Sequence, residues 1–153
     1  QFSYLADVAL LEWAYQEALT EAELPPLDMT RFAAIEPRRY ADLRFRMQPS
    51  ARLVESSFPL LTIWQANSVA SDPVTQDLID LDAGAERLLL VRTLNEVRIR
   101  RLELDEYALL SGFRAHMAFE PIIESVSDLY PAFDPGASLQ KWLALHVIVD
   151  FYL

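Results

Sequence analysis

The most constraining stretch of this chain is a pair of apolar runs, Leu88 to Arg92 and Val97 to Glu103, joined through Thr93-Leu94-Asn95-Glu96. Short β-branched and aliphatic runs that close on so few residues predict an antiparallel hairpin, so the fold must contain a sheet. A second period-two segment precedes it. Leu43, Phe45 and Met47 alternate with Arg44, Arg46 and Gln48, which predicts a strand with one buried and one wet face. Pro49 interrupts that alternation, and Arg52 to Glu55 either continues the same strand or forms a second edge.

Helices fill most of the remainder. Val8, Leu11, Tyr15, Ala18, Leu19 and Ala22 recur at helical spacing, while Glu12, Gln16, Thr20 and Glu23 line another face until Pro25-Pro26 stops the run. A short helix follows, capped by Asp28 or Thr30 and ended by Pro37. Ser57 with Pro59 predicts another start, with Leu60, Ile63 and Trp64 on one face. Ser68 to Ala85 is polar and irregular. Beyond the hairpin, Asp105 is the expected cap of a helix in which Leu104 and Leu109 form a hydrophobic staple. Pro121 and Pro135 open two more, the last carrying Leu139, Trp142, Leu143 and His146 on one stripe. The expected class is therefore α+β: winged-helix-like helices with a small antiparallel sheet and a C-terminal helical pack, in one domain over residues 1–153.

Composition narrows the chemistry. At 153 residues with 52% apolar content, the chain has enough core to fold without a metal or disulfide. It has no cysteine, which removes disulfides, thiolate catalysis and iron–sulfur ligation together, and leaves a reducing, cytoplasmic setting as the expectation. No apolar run approaches the roughly 18 residues of a membrane span, and no membrane partner is expected. Net charge is −10, unevenly spread. Residues 1–36 carry seven acids against Arg31, residues 102–153 eight against Arg114 and Lys141, and the middle holds ten arginines against eight acids. The summed field repels phosphate, so duplex DNA is an unfavoured partner.

Catalytic patterns are thin. His116 and His146 are the only histidines and neither belongs to a metal-binding motif, so both read as packing residues, His146 at the rim of the last helix. Asp77, Asp80 and Asp82 have the look of a calcium loop, but Gly84 stands where a third oxygen ligand belongs and no Glu closes the loop, which favours a solvated connection. Ser50, Ser56 and Ser57 are turn and cap residues rather than nucleophiles. Only three glycines occur, and no phosphate-loop motif is present. Trp13, Trp64 and Trp142 read as core anchors. The expectation is a protein that is not an enzyme and binds no cofactor.

The arginine stripes carry what functional signal there is. Arg98 and Arg100 share one face of the second hairpin strand while Val97 and Ile99 point to the other, and Arg44 and Arg46 repeat the arrangement earlier. One reading is a solvated sheet face, or an edge blunted by charge against aggregation. The other is an edge that accepts an extended peptide by main-chain pairing, with guanidinium forks selecting carboxylates. On that reading the partner-contacting residues are Arg98, Ile99, Arg100 and Arg101, with Arg44 and Arg46.

Two stretches, Tyr4-Leu-Ala-Asp-Val-Ala-Leu-Leu-Glu-Trp-Ala14 and Gln48-Pro-Ser-Ala-Arg-Leu continuing to Pro59-Leu-Leu-Thr-Ile-Trp-Gln-Ala-Asn67, together resemble the C-terminal part of the HvfC/BufC proteins. Pro25-Pro26-Leu27-Asp28, Arg87-Leu-Leu-Leu-Val-Arg92, Val97-Arg-Ile-Arg100 and Phe133-Asp-Pro fall in the family's order, so the resemblance covers nearly the whole chain. Gln48 departs from the family, which often has His there, and the family's N-terminal helical domain is absent, suggesting an excised domain or a shortened relative. The resemblance implies a peptide-modification chaperone: a non-catalytic partner of a multinuclear non-haem iron oxidase, a TIM-barrel enzyme, that helps capture the precursor peptide. The family was once labelled DNA-binding, so the alternative is a transcriptional regulator; a small hydrolase is a third and weaker reading.

Overall fold

A computed structural model describes residues 3–68 and 79–153; of the acids in the apparent calcium loop, Asp77 lies outside them. Helix α1 spans Tyr4–Thr20 and buries Val8, Leu11, Ala14 and Ala18. Asp28 caps the short α2, Met29–Ala33, its carboxylate accepting from the backbone of Thr30 and Arg31. A 3₁₀ turn over Pro37–Asp42 leads into β1, Arg44–Met47, and then β2, Arg52–Ser56. Helix α3 covers Leu60–Ser68. The hairpin is β3, Glu86–Thr93, and β4, Glu96–Arg101. Three helices follow, α4 at Leu104–Arg114, α5 at Phe119–Leu129 and α6 at Pro135–Ala144, before strand β5, Ile148–Tyr152.

The α+β class expected from the sequence is what the chain forms, with one change to the sheet. Among the described residues there are two small antiparallel sheets, not one: β2-β3-β4, and β1 paired with β5. The central strand β3 has a continuous apolar run because both of its faces are covered. Leu88 and Leu90 face α1 and α3 in a cluster with Leu11, Leu60 and Ile63, and Val54 and Ile99 pack against it. Leu89 and Val91 face the other way, into the larger cluster with Phe45, Leu109, Phe113, Trp142 and Ile148. Full burial of each such side chain contributes roughly 1.5–3 kcal/mol, so this strand is the backbone of the core.

The C-terminal segment corrects the expected helical stripe. Helix α6 ends at Ala144, and His146 adopts a left-handed φ of 58°. Its N–H bonds Leu143 O at 3.1 Å and that of Val147 bonds Trp142 O at 3.0 Å, a Schellman closure that turns the chain into β5. His116 ends α4 the same way, with φ 57° and paired bonds to Phe113 O and Gly112 O. Strand β5 then pairs with β1, matching Phe45 with Phe151 on the core side and Arg46 with Asp150 outside. Helix α4 starts two residues earlier than the expected cap at Asp105 allowed: Glu103 is the N-cap, in a reciprocal capping box with Glu106.

The Gln48-Pro-Ser-Ala-Arg motif is a fastening. Gln48, 3% exposed, meets the backbone of Leu24 in both directions, accepting from its N–H and donating to its carbonyl at 2.8 Å each. The Ser50 hydroxyl accepts from Arg92 N at 2.8 Å, tying the loop to β3. Arg52 donates to Glu17 at 3.0 Å and to Glu21 at 3.1 Å, pinning the end of α1. The Arg52 guanidinium and the Trp13 indole together hold the Glu17 carboxyl below the usual carboxylate range.

Candidate functional site: the arginine cleft beside the edge strand

In the order β2-β3-β4 the hairpin's second strand is an edge. Its turn is tighter than the expected four-residue connection. Thr93 pairs with Glu96, leaving Leu94 and Asn95 as the two loop residues, with φ of 55° and 63°. Positive φ at both is the mark of a type I′ turn, whose twist matches the strands it joins. Glu23 clamps this turn from the segment that follows α1, its two carboxylate oxygens accepting from Leu94 N and Asn95 N at 2.9 Å each.

Register then decides which backbone groups of β4 are spoken for. Leu102 N donates to Arg87 O at 2.8 Å, and the antiparallel alternation makes Arg100–Leu89, Arg98–Val91 and Glu96–Thr93 the hydrogen-bonded pairs. The N–H and C=O groups of Val97, Ile99 and Arg101 therefore point away from β3. No described residue meets them.

The side chains divide as the alternation requires. Ile99 packs on the α1/α3 cluster, and Arg101 on the same face is committed to Glu86 at 2.8 Å and to the Thr62 hydroxyl at 3.1 Å. Arg98 and Arg100 lie on the opposite face. With Val91, Leu94, His146 and Val147 they line a cleft of about 250 Å³ between the hairpin and the α6–β5 corner. Arg98 pairs with Glu96 at 3.2 Å. Arg100 is half-buried, and its guanidinium has no ion pair or hydrogen bond among the described residues.

The structure thus brings together two of the six sequence-picked residues in one cavity, with Ile99 and Arg101 on the far side of the same strand. Arg44 and Arg46 belong to the other sheet. Arg44 donates to the carbonyl of His116, and the Arg46 guanidinium lies 4.5 Å from the Tyr152 ring centroid. Tyr152 in turn contacts His116 Nδ1 at 3.1 Å. These arginines read as a braced outer face. Leu94, 65% exposed, and the His146–Val147 corner were missed in the sequence: Leu94 reads there only as part of the hairpin connection, and the corner's approach to β4 depends on the position of α6.

The other candidates resolve into structural roles. Trp142 is a core anchor at 1% exposure, whereas Trp13 is 67% exposed on the outer face of α1 and donates to Glu17 at 2.8 Å, so it is not a core residue. Asp80 folds its carboxylate onto its own turn, accepting from Asp82 N at 3.0 Å. Among the described residues no three His, Cys, Asp or Glu side chains gather as a metal site, and no helix is long and apolar enough to cross a membrane. No family model, curated protein or solved structure matches this chain.

Proposed function

We propose that this chain is a non-catalytic accessory protein that holds an extended peptide as an added strand on β4. The setting suggested by its resemblance to the HvfC/BufC proteins is ribosomal peptide modification, with a multinuclear non-haem iron oxidase as the enzyme partner and its precursor as the peptide. One observation carries the reading: the outward N–H and C=O groups of Val97, Ile99 and Arg101 form an unpaired edge among the described residues. Such an edge supplies main-chain affinity to an incoming strand, while alternate side chains supply selectivity. A second copy of β4 is a poor occupant, because Arg98, Arg100 and Arg101 outnumber Glu96 and the like charges would meet.

Val97→Pro tests this directly. Proline removes an N–H that points outward and leaves the ladder to β3 intact, so the fold should persist. Calorimetry with the precursor peptide, alone and with the oxidase, should show binding lost in the variant while its far-UV circular dichroism is retained. Unchanged affinity in a folded Val97→Pro protein would refute the edge as the binding element.

A further inference from the structure

The two arginines of the cleft are not equivalent, although they share a strand and a face. Arg98 is 49% exposed and already faces Glu96, so its charge is balanced on its own strand. Among the described arginines, the side chains of Arg39, Arg100 and Arg114 have no hydrogen-bond, ion-pair or ring partner. Arg39 and Arg114 are exposed and water satisfies them; Arg100 alone is half-buried and opens into a cavity. A guanidinium carries five donors, and withdrawing it from water without a partner is costly. The chain has 23 acids against 13 basic residues, yet none of the described acids has been brought to Arg100. The walls around it are largely apolar, with Val91 2% exposed and Val147 fully buried beside the polar Thr93 and His146. At the mouth, Leu94 is held exposed in a left-handed conformation that a non-glycine residue adopts only at a cost.

We infer that Arg100 is the seat for a carboxylate carried by the occupant of the β4 edge, so that the peptide this protein accepts is one with an Asp or Glu on the face that looks into the cleft. The inference rests on the strand-addition reading. An acid seated there forms a charge-assisted, fork-shaped contact against largely apolar walls, where it is stronger than in open water. A second acid opposite Arg98 gains little, because it must compete with Glu96.

The test uses the full chain and a fluorescein-labelled twelve-residue probe of alternating Thr and Val with one central Glu, followed by anisotropy. Replacing the probe's Glu by Gln should raise Kd about tenfold or more, the range for a hydrogen-bonded charge. Arg100→Gln should raise it similarly, after which the Glu and Gln probes bind alike; Arg98→Gln should change Kd less than about threefold. Equal affinity of the Glu and Gln probes for the unaltered protein, or a loss in Arg98→Gln matching that in Arg100→Gln, overturns the assignment. The probe-side comparison stands even if Arg100→Gln does not fold. A probe N-methylated at alternate backbone nitrogens separates the two claims. If it binds as well as its parent while Gln binds worse, the carboxylate seat holds and strand addition falls. If N-methylation abolishes binding while Glu and Gln remain equal, strand addition holds and the seat falls. Failure of every probe to bind overturns both.

Discussion

Gln48 shows how a single side chain can carry more of a fold than its polarity suggests. It is buried, and its amide supplies the acceptor and the donor that the Leu24 backbone would otherwise find in water. Gln48→Ala leaves two part-buried main-chain groups unpaired and should lower stability by about 2–3 kcal/mol, read from the urea midpoint. Gln48→Glu keeps the acceptor, loses the donor and buries a charge, so it should be at least as damaging. Much of the sequence motif behind the family resemblance turns out to do work of this kind. Asp7 accepts from the Ser56 hydroxyl at 2.6 Å, Ser50 ties its loop to Arg92, and Arg52 holds Glu17 and Glu21. These residues hold α1 and the hairpin in place around the edge strand, and they do not line the cleft.

At the scale of elements, both histidines are helix terminators. His116 and His146 occupy left-handed positions that glycine fills without strain. His146→Gly should raise stability by about 0.5–1 kcal/mol in thermal or urea unfolding. His116→Gly should gain less, because it forfeits the contact with the Tyr152 hydroxyl. Local pattern made several elements readable from sequence: the 3.6-residue spacing of Val8, Leu11 and Ala18, the cap at Asp28, and the alternation from Val97 to Arg100. Strand β5 was unreadable because Val147-Ile-Val-Asp-Phe-Tyr152 follows an amphipathic helix with no proline or glycine between, and its stop is a histidine in a glycine's role. The division into two sheets was hidden for a related reason. Arg44–Met47 and Arg52–Ser56 lie close in sequence, but their partners are β5 and β3, and no local pattern encodes a distant partner. The arginine stripe was visible as a stripe; that one of its members is balanced and the other is not emerged only from the pairing of Arg98 with Glu96.

For the whole molecule, charge sets what can approach. The net −10 is concentrated toward the two ends of the chain, and most of the arginines between them are tied to acids, carbonyls or rings. Too little free positive field remains to displace counterions from a duplex, so the chain should give no sequence-dependent retardation of DNA at physiological salt and sub-micromolar protein. A sharp shifted band under those conditions would favour a regulator over a peptide-binding accessory protein. The pairing of β1 with β5 has a consequence for synthesis. Arg44 and Phe45 leave the ribosome long before Phe151 and Tyr152 exist, so Phe45 cannot be sealed against its partner until translation has passed α6 and β5. Until then β1 is an unpaired strand with an exposed aromatic residue, a species open to mispairing, and the slow loop closure that rescues it waits for β5 to emerge. The nascent chain would then depend on chaperones until β5 emerges.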